Sequence, residues 1–284
     1  MKTRSERPSL AKRFPSELLW NLTLRELRGK FKRSTLGWGW SIINPVVFLL
    51  IYSFVFSIVL RAVPPVGDPS GLHNYAFWLV CGLLPWTFLS NSVIGSAASL
   101  TANQDLVKKV YFPRSVLPTS AVLSWLVSFL IELGVLAVAL LIVGNMVLPW
   151  LPLVLVITAL LTAFVLGLAL LISPLQAYFR DMEHLTTILL QVWFWATPIV
   201  WPVTLLEGTD RTFTVLGYNI IPAIPNLIRF NPVFQFVEAY RDVLYDLRVP
   251  SLGRWLGMLI SATISILIGG LVFRRLEPRL AEEL

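Results

Sequence analysis

The chain is poor in the residues from which most active sites are built. Its single cysteine, Cys81, rules out an internal disulfide and any multi-cysteine metal site, and best fits a small apolar position inside a span. Histidine occurs twice, at His73 and His184, which the topology below puts on opposite sides of a membrane, so no metal cluster can be assembled from them. No G-x-x-x-x-G-K-[ST] loop is present. The nearest string, Arg28-Gly29-Lys30-Phe31, lacks the upstream glycine and the hydroxyl that would touch Mg²⁺. Acid is scarce as well: Glu132 is the only carboxylate within a predicted span, and no second acid or base in that span pairs with it. Its role is either functional or a hydrogen bond to a neighbouring helix. Asp181, Glu183 and His184 sit together without the spacing of a metal or acid–base site, and a solvated loop fits them better. A membrane glycosyl- or acyltransferase would need a cluster that this sequence lacks.

Charge is low throughout. Charged residues make up 14% of the 284 and hydrophobic ones 56%, where a soluble domain has about 25% charged. With a mean hydropathy of +0.73, composition alone makes this a membrane protein. The net charge of +7 does not point to nucleic acid, because the basic residues gather at the predicted membrane edges.

Apolar runs predict six spans, at about 41–60, 75–98, 117–143, 153–173, 185–203 and 255–273. The fold class expected is therefore an all-α integral membrane protein: a tail and interfacial helix over 1–34, then one six-span domain over 35–284. No cleaved leader is expected, because the first apolar run is already long enough to span. Six spans put both termini on one side. Seventeen Lys and Arg fall on that side and six on the other, which predicts cytoplasmic termini.

The stretch before the first span has its own pattern. Trp20, Leu24, Leu27 and Phe31 recur on one helical face, with Arg25, Arg28, Lys32 and, just beyond, Arg33 supplying positive charge. An apolar stripe backed by basic residues suits a helix lying in the membrane–water interface. Between spans two and three, the loop 99–116 contains Asn103-Gln104-Asp105-Leu106-Val107-Lys108-Lys109-Val110. This predicts a short helix with Asn103 as N-cap, stopped by Tyr111-Phe112-Pro113-Arg114.

Between spans five and six, 204–254 is broken by Gly208, Gly217, Pro222, Pro225 and Pro232, and its segments 212–221 and 223–231 are too short to span. Re-entrant helices and a plain folded loop both fit. The following Pro232–Tyr245 reads as an amphipathic helix with Phe236, Tyr240 and Leu244 on one face and Glu238, Arg241 and Asp242 elsewhere. Aromatics are plentiful, with eleven Trp and seventeen Phe. Trp38, Trp40, Phe48, Tyr52, Phe56, Phe88, Trp193 and Trp195 are candidates to line a conduit, against the default of core filling and interface anchoring.

Three blocks carry a family resemblance: L-L-W-N-L-T-L-R-E-L-R-G-K-F-K-R-S-T-L-G-W-G-W-S-I-I-N-P (18–45), N-Q-D-L-V-K-K-V-Y-F-P-R (103–114) and N-P-V-F-Q-F-V-E-A-Y-R-D-V-L-Y (231–245). The chain resembles the membrane subunits of ABC-2-type polysaccharide exporters, which carry O-antigen, teichoic acid or related glycans. The resemblance implies a homodimer in the cytoplasmic membrane that exports a lipid-linked glycan. It implies two copies of a separate ATP-binding subunit that hold ATP and Mg, no cofactor in this chain, and a re-entrant outer gate at 204–254. It makes Asn103, Gln104, Asp105, Lys108, Lys109, Tyr111, Phe112 and Arg114 the ATPase-coupling loop. An ABC-2 exporter of drugs or small lipids would share the topology and is the alternative.

Overall fold

In the computed structural model the described residues are 16–30, 37–59, 65–110, 112–203, 214–215, 218–219 and 224–283. The apolar runs fold as helices, which satisfy their own backbone polar groups where water is absent. They begin with α1 (Ser16–Lys30), α2 (Trp40–Tyr52, continued by a π-helical stretch Ser53–Val59), α3 (Tyr75–Ala102), α4 (Gln104–Lys109) and α5 (Val116–Ile142). There follow α6 (Leu151–Tyr178), α7 (Met182–Ala196), α8 (Ile224–Arg229), α9 (Pro232–Tyr240, then π-helical over Arg241–Asp246), α10 (Leu252–Leu276) and α11 (Leu280–Glu283).

Helix α3 is the centre of the bundle. Its most apolar window is 78% buried, against 28% for the last span, and α5, α6, α7 and α9 all pack on it. Asn74 caps it by accepting from the Ala76 amide at 3.0 Å. The tightest crossing joins α6 to α10. A Cβ added to Gly269 would lie 2.0 Å from the Gly167 carbonyl oxygen, so only glycine lets these backbones approach. Ser265 Oγ donates across the same crossing to the Phe164 carbonyl at 2.7 Å.

Among the described residues, four helices are long and apolar enough to cross a membrane: Tyr75–Ser99, Val116–Ile142, Leu148–Tyr178 and Leu252–Arg279. The run expected at 41–60 contains a shorter apolar helix, Ile42–Phe56. The one expected at 185–203 is helical only to Ala196, because Pro198 biases Thr197 to the extended conformation it adopts. The short segments between spans five and six are not both helical. Thr214 pairs with Asn219 and Val215 with Tyr218 in a two-residue antiparallel ladder, and among the described residues there Ile224–Arg229 forms a helix. Residues 204–213 of the expected outer gate lie outside the described residues.

Candidate functional site

At one end of the bundle, a second apolar cluster gathers chain segments that are distant in sequence. Leu22 of α1, Leu100 of α3, Val107 of α4, Val116 and Leu117 of α5, Ala177 of α6, Phe273 of α10 and Leu280 of α11 are all buried in it. Val107 thus anchors α4 while Gln104, Asp105, Lys108 and Lys109 stay exposed, with Lys109 paired to Asp105 at 3.3 Å. Phe112 packs against the same cluster, and Arg114 donates to the Glu277 carbonyl. Tyr111 lies outside the described residues.

Asn103 does not cap α4 with its side chain. Its Nδ2 donates instead to the Ser99 carbonyl at 2.8 Å, and its Oδ1 accepts from Arg25 Nη2 at 2.7 Å. The cap position is thereby used to tie α1 to the loop.

Leu22, Thr23 and Leu27 are the buried residues of α1, while Trp20 is 61% exposed, Leu24 is half-buried and Arg25 and Arg28 are exposed. The buried side holds polar groups that α5 satisfies: Lys30 Nζ sits 3.3 Å over the Trp125 ring and 3.5 Å from Ser128 Oγ. Burial pushes the Lys30 ammonium down to about 7, while Glu132 and Glu26 pull it back up. Glu132 therefore has a basic neighbour after all, supplied by α1 rather than by its own span. Phe31, Lys32 and Arg33 lie outside the described residues.

The aromatic candidates divide. Phe48, Tyr52 and Phe56 recur every four residues, and their rings form a ladder with centroid spacings of 6.1 and 6.1 Å. Phe56 stacks on Tyr75 at 4.5 Å, and Tyr75 lies 5.4 Å from Trp78. Phe88, by contrast, is 2% exposed and stacks on Phe129 at 4.9 Å. It is a core residue. Trp193 is half-buried and donates to Asn231 Oδ1 at 2.9 Å, whereas Trp195 and Trp40 are exposed. The Trp38 side chain lies outside the described residues.

The ladder ends on the feature that sequence reading missed. Arg241 and Asp242, read from sequence only as lying off the apolar face, are 2% and 1% exposed. Arg241 Cζ lies 3.5 Å over the Trp78 ring, and its N–H groups donate to Pro198 O at 2.8 Å, Ile199 O at 2.7 Å and Glu238 Oε1 at 2.7 Å. The arginine thus satisfies the carbonyls freed where α7 ends. Gly82 makes room for it, since a Cβ there would lie 2.8 Å from Arg241 Nη2.

Asp242 pairs with Arg248 at 2.6 Å and with Arg254, and Arg248 also reaches Asp246 at 3.0 Å. Burial pushes the Asp246 carboxyl up to about 6, against the pull of Arg248. The signal available in sequence was the alternation of sign at Glu238, Arg241, Asp242, Asp246, Arg248 and Arg254 within an apolar context. Of these, Glu238, Arg241, Asp246, Arg248 and Arg254 line a cavity of about 650 Å³ at the end of the bundle opposite α4.

Comparison with known proteins agrees in direction. The family described as ABC-2 type transporter matches residues 17–209. The chain is 28% identical over 267 residues to the O-antigen export system permease protein RfbA of Myxococcus xanthus, covering 94% of this chain and 95% of that one. It is 30% identical over 268 residues to the protein of the same name from Klebsiella pneumoniae, covering 94% of each. Against the polysialic acid transport protein KpsM of Escherichia coli it is 26% identical, over 78% of this chain and 79% of that one. With the family match spanning well over half its length and export permeases aligning nearly end to end, this chain belongs to the ABC-2 type transporters.

Proposed function

We propose that the chain is the membrane subunit of an ATP-driven exporter that moves a lipid-linked polysaccharide across the cytoplasmic membrane. The observation that carries this reading is the near end-to-end alignment with permeases named for O-antigen export. The relatives' names favour polysaccharide over drugs or small lipids as cargo. Six membrane passages are proposed, with Ile42–Phe56 and α7 completing the four longer spans and both termini in the cytoplasm. A homodimer with an isologous interface is part of the reading, since one copy has few spans with which to enclose a wide path. Two copies of an ATP-binding subunit would bind ATP and Mg against α4.

The geometry suggests how work would be delivered. A push on exposed Lys108 and Lys109 acts on a helix whose Val107 shares one apolar cluster with α1, α10 and α11. The Arg25–Asn103 and Arg114–Glu277 links reinforce that union. Because α10 is locked to α6 at Gly269, displacement of the α10 end is carried along the bundle. Nucleotide-driven closure of the partner would favour the open state by its differential affinity for the two states. The ladder Phe48–Tyr52–Phe56 would offer a sliding sugar chain ring faces with few fixed hydrogen bonds.

Co-expression with a cognate ATP-binding subunit in cells lacking both, with surface glycan as readout, tests this. Appearance of surface glycan that depends on both subunits supports the reading, and its absence with a stably formed complex overturns it.

A further inference from the structure

Two cavities of opposite character meet at the junction of α8 and α9. The first is the cavity of about 650 Å³ at the end of the bundle, lined by Asp68, Glu238, Asp246, Arg248 and Arg254 with Trp78 in its wall. Its acids and guanidiniums are set against one another, so its lining matches a polyhydroxylated, overall neutral group better than an ion of either sign. The second, about 540 Å³, runs between α6 and α10 from that end towards their midpoints. Phe164, Leu168, Ile260, Ile264 and Ile268 make it apolar along two helices long enough to cross a membrane. Among the described residues, Arg229 and Gln235 alone line both. Gln235 Nε2 donates to the Arg229 carbonyl, which holds the two together. Gly257 keeps the passage open, since a Cβ there would lie 3.1 Å from Gln235 Cγ.

We infer that the paired cavities form one binding site for an amphiphile: an apolar tail between α6 and α10, a phosphate or diphosphate at Arg229, and the first sugar residues in the polar cavity. A polar cavity, a basic junction at Arg229 and an apolar groove follow one another in that order, which matches the sugar, phosphate and tail of a glycolipid, and arginine is suited to a phosphate at such a junction. The inference rests on the polysaccharide-export reading and deepens it by locating where the glycolipid is held, at the end of the bundle away from α4. The groove's apolar tail site and the arginine give it selectivity over a free sugar, and the polar cavity gives it selectivity over an ordinary phospholipid.

The test uses the full-length chain in lipid nanodiscs with its ATP-binding subunit, and three probes sharing one farnesyl tail: a diphosphate bearing a neutral disaccharide, a monophosphate, and a neutral disaccharide glycoside. Native mass spectrometry reads their relative affinities. The glycosyl diphosphate is expected to bind tightest. Arg229→Gln is expected to weaken both phosphate-bearing probes about ten-fold or more and to leave the neutral glycoside unchanged, which also reports that the variant is folded. Ser261→Phe, which fills the groove, is expected to weaken all three and keeps the test decisive should the first variant not fold. Equal binding of the phosphate-bearing probes by wild type and Arg229→Gln overturns the site. So does displacement of the glycosyl diphosphate by equimolar dioleoylphosphatidylglycerol, which would mark an ordinary lipid groove. Surface glycan in cells separates the two ideas. If the wild-type chain supports it and both variants do so equally well, the site falls and the export reading stands; if the wild-type chain supports none, the export reading falls.

Discussion

The guanidinium of Arg241 lies 3.5 Å over the ring of Trp78 and carries the carbonyls left open at the end of α7. Removing it strands those carbonyls and leaves the Glu238 carboxylate with Arg254 alone, at 3.5 Å. Breaking a buried pair in this way costs about 3–5 kcal/mol, so Arg241→Gln is expected to lower the melting temperature in detergent by on the order of 10 °C. Arg241→Lys should recover little of the loss, because an ammonium cannot reproduce the planar fork. Fluorescence-monitored unfolding checks both.

Glycine is obligatory where α6 crosses α10. Gly269→Leu is expected to abolish folded, monodisperse protein, since even its Cβ would meet the Gly167 backbone. Gly270→Leu, with nothing within 4 Å of its added Cβ, is the control and should be tolerated. Size-exclusion profiles of the two distinguish a packing requirement from a general intolerance of bulk.

Phe88 and Tyr52 should behave oppositely. Phe88→Ala empties a buried stack and is expected to cost about 3–5 kcal/mol with any export defect secondary to lost protein. Tyr52→Ala, on the half-exposed ladder, is expected to change stability by less than about 1 kcal/mol yet reduce glycan export. Melting curves set beside surface glycan levels separate the two effects.

Asp246 gives the end of the bundle opposite α4 a pH dependence of definite sign. Its folded carboxyl sits at about 6, above the ordinary value of 3.8, so the folded state binds more protons than the unfolded one between these values. Its ionisation therefore opposes folding above pH 6, and that opposition is relieved as pH falls from 6 towards 4. Asp246→Asn is expected to flatten this part of the stability profile, measured as melting temperature against pH.

Four spans were legible because uninterrupted apolar runs of sufficient length have one common outcome in a bilayer. What hydropathy could not give was which side of a helix faces protein, since lipid and core are equally apolar. That is why Phe88 was a conduit candidate and proved to be core, and why the burial of Thr23 and the contact of Lys30 with Trp125 on the protein-facing side of α1 were not foreseen. Burial of Arg241 and Asp242 was illegible for a related reason. Their partners, Trp78, the carbonyls at 198–199 and Arg254, come from segments that only the fold brings together. The pairing of Thr214–Val215 with Tyr218–Asn219 was not legible, because two residues of strand pairing need no periodicity to form.

The central claim is that exposed α4 receives force from an ATP-binding partner and that Arg25 passes it to α1. The most direct measurement is ATP hydrolysis and surface glycan export by the co-purified complex, comparing wild type with Lys108→Glu/Lys109→Glu and with Arg25→Ala. The account predicts that the double charge reversal weakens the complex and abolishes export. Arg25→Ala should leave the complex intact and hydrolysing but export at least several-fold less. Full export by both variants, with the partner still bound, would contradict it.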